Sequence, residues 1–277
     1  MSILCTRPEG AADPLVAALI SAGHHVHAVP TVALLPVEPG GPLDMAAARI
    51  QAYDWVVVTS AMGATAILEA VRRAGAAGRD GDPTRAVAHV PRWAAVGRAT
   101  AVVLQAAGVQ VSVIPAISRG AAITEALLEA GPLTESRVLL PRSDRADEAL
   151  PRALRVAGAA VDEVVAYRTI EGPPGNAADL ADALAATDLQ AIVICSGSAL
   201  RGLLALSADP GETGIHPRVI TTPLISIGPS TSTVISGAGL QVAIEASDPS
   251  VEGLLSAVQL LGAHVAPPPR IPQEVVS

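Results

Sequence analysis

The chain has 277 residues, 50% of them apolar and 16% charged, enough to fill two domains and too apolar for a disordered chain. It contains no Phe, two Trp and two Tyr, so its cores rest on Ala, Val, Leu and Ile, and the scarcity of rings argues against base-stacking surfaces. The 18 cations are all Arg against 26 acids, a net charge of −8 that argues against nucleic-acid binding, and the absence of Lys excludes Schiff-base and P-loop chemistry.

In chain order, short β-branched runs alternate with Ala/Leu-rich helical stretches. A strand over 2–6 leads to a helix over 13–22 and a strand over 26–35. A strand over 54–59 and a helix over 61–74 follow, then strand 93–96, helix 99–107 and strand 109–114. Helix 119–130 precedes strand 137–141, helix 145–157 and strand 161–168. The last third reads as strand 191–195, helix 198–207, strand 224–227, helix 230–236, strand 240–245 and helix 249–261. Strands without an exposed face, alternating with helices, predict an α/β fold with parallel sheets. Two Pro/Gly-rich stretches, LPVEPGGP (35–42) and IEGPPGN (170–176), read as linkers, and the Pro-rich tail 266–277 as frayed.

The chain is a duplication. TRPEGAADPLVAALISAGHHV aligns without a gap with PRSDRADEALPRALRVAGAAV, placing Arg7 on Arg142 and Gly23 on Gly158 at an offset of 135. VVVTSAMGATAILEAV matches IVICSGSALRGLL, with Ser60 on Ser196 at 136. AAVGRATAVVLQAAGVQVSV matches ISIGPSTSTVISGAGLQVAI, with Gly97 on Gly228 at 131. The linkers then predict that each repeat lends its first β-α-β unit to the domain completed by the other. Domain 1 is expected to hold 1–36 and 172–265, and domain 2 to hold 40–166, with crossings at 36–40 and 166–172. The ligand is expected in the cleft spanned by the crossings.

Familiar site motifs are absent: there is no GxGxxG, CxxC, HExxH or GxSxG. His24, His25 and His27 read as a solvated strand start rather than a metal site, and Cys5 and Cys195 as small hydrophobes rather than nucleophiles. The informative places are strand-to-helix turns: Thr59–Ser60, Gly97–Thr100, Cys195–Ser196 and Gly228–Thr231. In open parallel sheets ligands sit at the carboxyl ends of strands, where helix N-termini offer free N–H groups to anions. The same Ser and Thr also suit plain helix capping. Arg7 and Arg142 follow the first strand of each repeat and read either as carboxylate binders or as ion-pair partners. Tyr167, in VVAYRT, reads either as a hinge residue or as a phenol able to give a proton to a leaving hydroxyl.

With LCTRP, YDWVVVTSA, AVGRAT, LLPR, VVAYRT, CSGS and SIGPST in this order from residue 3 to about 261, the sequence resembles the uroporphyrinogen-III synthase family. The resemblance implies two flavodoxin-like domains joined by two strands. It implies a cofactor-independent hydro-lyase: linear hydroxymethylbilane loses its terminal hydroxyl as water and closes with the last pyrrole ring inverted. Carried over by motif, Tyr167 matches the tyrosine that assists loss of the hydroxyl. Ser60, Thr100, Ser196, Ser198 and Thr231 match substrate-binding turns, and Thr59, Gly97, Gly197, Gly228 and Ser230 lie within those turns. Met62 stands where the family has Asn, and the second turn reads Cys195-Ser196-Gly197-Ser198. The substrate's eight carboxylates meet a protein of charge −8, so binding is expected from local donors, not long-range attraction. The N-terminus, MSILCTRPEG, does not read as a signal peptide, and no apolar run has the length of a membrane span. A cytoplasmic monomer without metal, cofactor, membrane or nucleic-acid partner is therefore expected; the alternative is an inactive tetrapyrrole- or small-molecule-sensing module of the same fold.

Overall fold

The computed structural model describes residues 1–8, 12–77, 90–116, 120–208 and 214–265. The chain divides into two compact units, Met1–Ala33 with Ile170–Ser277, and Leu34–Thr169. It passes between them inside two strands, β3 (Val32–Pro36) and β8 (Ala160–Glu171).

The first unit is built on a five-stranded sheet. Its strands are β1 (Ser2–Cys5), β2 (His25–Ala28), β9 (Leu189–Ile194), β10 (Leu224–Ser226) and β11 (Val242–Glu245), in the order β11-β10-β9-β1-β2. Every neighbouring pair is parallel. Ile3, Cys5, Ala191, Val193 and Ile225 form one buried cluster with α1 (Pro14–Ser21) and α11 (Val251–Val265). Leu4, Ile192 and Ile194 alternate with them and are fully buried too, as strands covered on both faces require. The remaining helices of this unit are α7 (Ala177–Ala185), α8 (Gly197–Ser207), α9 (Pro217–Thr221) and α10 (Pro229–Gly237).

The second unit holds a six-stranded sheet. Besides β3 and β8 it contains β4 (Trp55–Val58), β5 (Arg92–Ala95), β6 (Val111–Val113) and β7 (Arg137–Ser143), in the order β3-β8-β7-β4-β5-β6. Period-2 alternation sends Val56, Val58 and Leu139 into one core and Trp55, Val57, Val138 and Leu140 into the other. The first core is covered by α2 (Pro42–Ala48), α3 (Ala61–Ala77) and α4 (Arg98–Ala106), the second by α5 (Gly120–Glu129) and α6 (Ala149–Val156).

The duplication is visible in the topology. Ranked by their place in the repeat, the five strands β2-β1-β9-β10-β11 and β8-β7-β4-β5-β6 share one order, 2-1-3-4-5, that of a flavodoxin-like sheet. In each sheet the first two strands come from one repeat and the last three from the other. Gly23 and Gly158, paired by the repeat, both adopt positive φ (85° and 95°) just after their helices, where a side chain would strain the backbone.

Four features differ from the sequence reading. The strand expected over 26–35 is two strands in different sheets, because Pro30 has no N–H for a ladder and Thr31 turns inward, its hydroxyl donating to the Ala199 carbonyl at 2.8 Å. The stretches 35–42 and 170–176 are not open linkers: β3 ends in the first, β8 runs on to Glu171 in the second, and a 3-10 turn follows at Pro174–Asn176. Helices α2, α7 and α9 were missed; α2 and α9 are short and open on a proline at the first turn, which the composition made look like loop. Helix α6 starts at Ala149 rather than 145, because 144–148 turn after β7. Arg119 and the tail 266–277 lie outside the described residues.

Candidate functional site

Each sheet has one switch point, where adjacent strands send their connections in opposite directions: β1 beside β9 in the first unit, β7 beside β4 in the second. The turns at the carboxyl ends of these strands hold Arg7 and Ser196 in one unit and Ser60 in the other; Arg142, expected in the matching turn, is instead the last residue but one of β7, which runs on to Ser143.

At the second unit's switch point, Ser60 caps α3: its Oγ accepts from the Gly63 N–H at 3.0 Å. The same hydroxyl donates to the Tyr167 phenol oxygen at 3.1 Å. The Tyr167 ring is buried, 9% exposed, in the cluster of Val56, Val58 and Leu139, and its carbonyl accepts from the Asp144 N–H. Because Ser60 supplies the proton of their shared bond, the phenol's own proton remains available to another acceptor. On the opposite face of the sheet, where Val96 and Leu150 pack, Thr59, Val96, Arg142, Ala146, Asp147 and Leu150 line a cavity of about 200 Å³.

Arg142 is 7% exposed, and its guanidinium already holds Glu163 at 2.6 Å and the Asp147 carbonyl. Arg7 likewise binds Asp13, at 2.5 Å, and Asp13 itself caps α1 by accepting from the Leu15 N–H. Burial opposes the charge of Arg7, but the charge and hydrogen bonds of the Cys195 sulfur, as thiolate, and of the Asp13 carboxylate outweigh it and hold its pKa above the ordinary value. Both arginines are thus ion-pair partners that shape their turns.

At the first unit's switch point Ser196 caps α8, its Oγ accepting from the Ala199 N–H at 3.0 Å. Arg201 clamps Glu171 in a forked pair, Nη2 to Oε1 at 2.8 Å and Nε to Oε2 at 3.1 Å, and gives one further bond to Ser198 Oγ at 3.2 Å. Gly197 sits where a Cβ would meet Val234 at 3.1 Å. Cys5 is buried, and burial pushes its thiol up to about 12, as suits a packing residue. His25 and His27 both reach the Ser2 hydroxyl, at 3.4 and 3.2 Å, at the opposite end of the sheet.

The other turns differ in accessibility. Gly97 is half-buried and Ser230 exposed, whereas Gly228, Thr100 and Thr231 are buried, the two threonines at 5% exposure each. Sequence reasoning missed Gly63, Asp147 and Glu163. The repeat aligns Asp13 with Glu148, so the alignment points to the wrong partner for Arg142; its true partner lies on β8.

Comparison with known proteins matches this architecture. The family model described as uroporphyrinogen-III synthase HemD matches residues 13–256. The uroporphyrinogen-III synthase of Synechococcus elongatus is 32% identical over 262 residues, which is 93% of this chain and 94% of that protein. Among solved structures, a mutant uroporphyrinogen III synthase from Thermus thermophilus aligns with a TM-score of 0.64 at 17% identity, covering 95% of this chain and 99% of that one. The uroporphyrinogen-III synthetase of Helicobacter pylori aligns at 0.61 and 15% identity, covering 94% and 99%. At such identities the two structures speak for the fold alone, while the family match and the cyanobacterial relative speak for descent. By both, this chain belongs to the uroporphyrinogen-III synthase family, enzymes of tetrapyrrole biosynthesis.

Proposed function

We propose that this chain carries out the family reaction with Tyr167 as the proton donor and the strand-to-helix turns of both units as carboxylate receptors. In that reaction linear hydroxymethylbilane gives up its terminal hydroxyl as water, and the azafulvene cation left behind is attacked by the last pyrrole at its substituted carbon. A spiro intermediate forms, fragments and recloses with that ring inverted, giving uroporphyrinogen III. The chemical demand is geometric, since unassisted closure gives the uninverted isomer; the protein's task is to select one folded conformer and to start ionisation there.

The observation that carries the reading is the phenol at the switch point of β4 and β7, with its oxygen already receiving the Ser60 proton and its own proton unspent. Around it the charge pattern suits a polycarboxylate held by amides. The capped N-termini of α3 and α8 contribute backbone N–H groups and the positive ends of their dipoles. Thr59 and Gly97 serve the second unit, Ser60 only through the helix N-terminus that it caps, and Ser196, Gly197, Ser198, Gly228 and Ser230 serve the first. Thr100, being buried, acts through its backbone amide; Thr231, whose N–H is given to the Gly228 carbonyl at 3.0 Å, acts with Arg7 and Arg142 by holding the turns in shape.

We also infer a cytoplasmic monomer. A substrate with eight carboxylates does not cross a bilayer unaided, so enzyme and substrate share a compartment. A single chain supplies both switch points. Among the described residues no helix is long and apolar enough to cross a membrane.

The test is an isomer-resolved assay with freshly prepared hydroxymethylbilane. The type III isomer is expected well above the spontaneous type I background. A product mixture equal to the enzyme-free control overturns the reading and leaves a binding module. The Tyr167→Phe variant is expected to lose at least several-fold in kcat, toward the ~10²-fold that a positioned acid supplies.

A further inference from the structure

We infer that Ser60 is a positioning residue for Tyr167: it couples the N-terminus of α3 to the phenol oxygen, aims the phenolic proton outward and stabilises the phenolate left when that proton departs. The inference rests on the reading of Tyr167 as proton donor.

A serine hydroxyl has one proton to give and two lone pairs with which to accept, and both kinds of bond are used at Ser60. Here the oxygen accepts from the Gly63 N–H at 3.0 Å, one of the unpaired amides of the first turn of α3. The proton is therefore turned away from the helix, and the Tyr167 oxygen stands 3.1 Å off to receive it. The two residues are 107 positions apart, so neither secondary structure nor chain connectivity imposes the contact.

Three further features hold this geometry. Gly63 leaves room for it, since a Cβ there would lie 3.1 Å from Ser60 Oγ and 3.4 Å from the Pro141 carbonyl. The Tyr167 ring belongs to the buried cluster that also holds Val56, Val58 and Leu139, so the phenol cannot swing to another partner without disturbing the core. The backbone beside it is pinned by the Asp144 N–H bond to the Tyr167 carbonyl and by the Thr169 N–H bond to the Asp144 carboxylate. The repeat partner Ser196 makes the same cap with Ala199, but the offset of 135 puts Val32 where the other half has Tyr167. The relay exists in one unit alone.

The step balances. The Tyr167 proton passes to the substrate's terminal hydroxyl oxygen, the carbon–oxygen bond breaks with its electron pair on oxygen, and water leaves. The carbon keeps the positive charge, delocalised over the pyrrole, and Tyr167 is left as phenolate. The proton that the ring carbon sheds on closure returns to that oxygen. In between, the phenolate receives the Ser60 hydrogen bond, strengthened because Ser60 is itself polarised by the helix amide.

The experiment measures kcat and KM of wild type, Ser60→Ala, Ser60→Thr, Tyr167→Phe and the Ser60→Ala/Tyr167→Phe double variant on two substrates. One is hydroxymethylbilane; the other is its aminomethyl analogue, whose ammonium group departs as a neutral amine and needs no proton from the protein. With hydroxymethylbilane, Ser60→Ala is expected to lower kcat about tenfold, the usual worth of a hydrogen bond to a charged group, with KM within about twofold. Ser60→Thr is expected to restore most of the rate. The double variant is expected to be no slower than Tyr167→Phe, because Ser60 acts through Tyr167. On the aminomethyl analogue Ser60→Ala is expected to stay within about twofold of wild type. Equal losses on both substrates overturn the inference, since a structural or substrate-binding role slows both. Full activity of Ser60→Ala beside a slow Tyr167→Phe also overturns it while leaving Tyr167 as the acid. Full activity of Tyr167→Phe overturns the underlying reading instead.

Discussion

The turns at Ser60 and Ser196 descend from one ancestral segment, yet they have been put to different uses. Both serines cap a helix at the carboxyl end of a central parallel strand, with oxygen-to-amide distances of 3.0 Å in each case. Beyond the cap they diverge. Ser60 spends its proton on Tyr167, whereas the neighbourhood of Ser196 is organised by Arg201, which ties Glu171 and Ser198 to α8. Where α3 carries Ala66, α8 carries Gly202, because the chain entering and leaving β3 and β8 presses against α8: the Thr31 carbonyl accepts from the Gly172 N–H at 2.9 Å directly over Gly202. A duplicated turn keeps its backbone work, the capping of a helix, because that work is local. Its side-chain chemistry drifts, because that depends on which strand the fold lays beside it.

That contrast breaks most sharply at Gly202. A Cβ there would overlap the Thr31 carbonyl oxygen and approach the Gly172 nitrogen to 2.9 Å, so Gly202→Ala forces backbone apart. A loss of about 3 kcal/mol or more is expected in denaturant unfolding. The reciprocal change, Ala66→Gly, forces no backbone apart and carries the helix penalty of roughly 1 kcal/mol plus roughly 0.8 kcal/mol for one buried methyl. Equal effects at the two positions refute the account of α8 as the helix that bears the crossing. Next in size is Tyr167→Phe in the turnover assay, where the loss is expected in kcat with little change in unfolding midpoint, since the ring and its packing remain.

The smallest effect is expected at Ser196. Ser196→Ala removes a cap worth about 1 kcal/mol and is expected to lower stability by that amount. Its kinetic cost is expected in KM, measured from initial rates of type III formation, with kcat changed less than in Ser60→Ala. If Ser196→Ala instead mirrors Ser60→Ala in kcat, the two turns have not specialised.

Much of this was readable before any coordinates. The alternation of β-branched and Ala/Leu-rich segments led to the parallel α/β architecture, and the three collinear repeat blocks led to the exchange of β-α-β units that the strand orders display. The errors cluster where tertiary contacts override local pattern. The apolar stretch 26–35 reads as one strand, and Pro30 together with the inward turn of Thr31 divides it between two sheets. The helices that open at Pro42 and Pro217 look like loops, because proline is a breaker everywhere except the first turn. In the site, the serine turns and Tyr167 stood out by position and rarity. The partners of Arg7 and Arg142 did not, since one pairs six residues along the chain and the other across a sheet to β8.

Taken alone, the sequence determined the period of the elements, the duplication and the places where strands hand over to helices, because each of these is written in residues close together along the chain. Only the tertiary structure decided that Ser60 and Tyr167 share a hydrogen bond, that Arg142 is already paired, and that Gly202 has no room for a methyl group. These depend on which strands lie side by side, and the energy that selects that arrangement is spread over the buried faces of whole sheets.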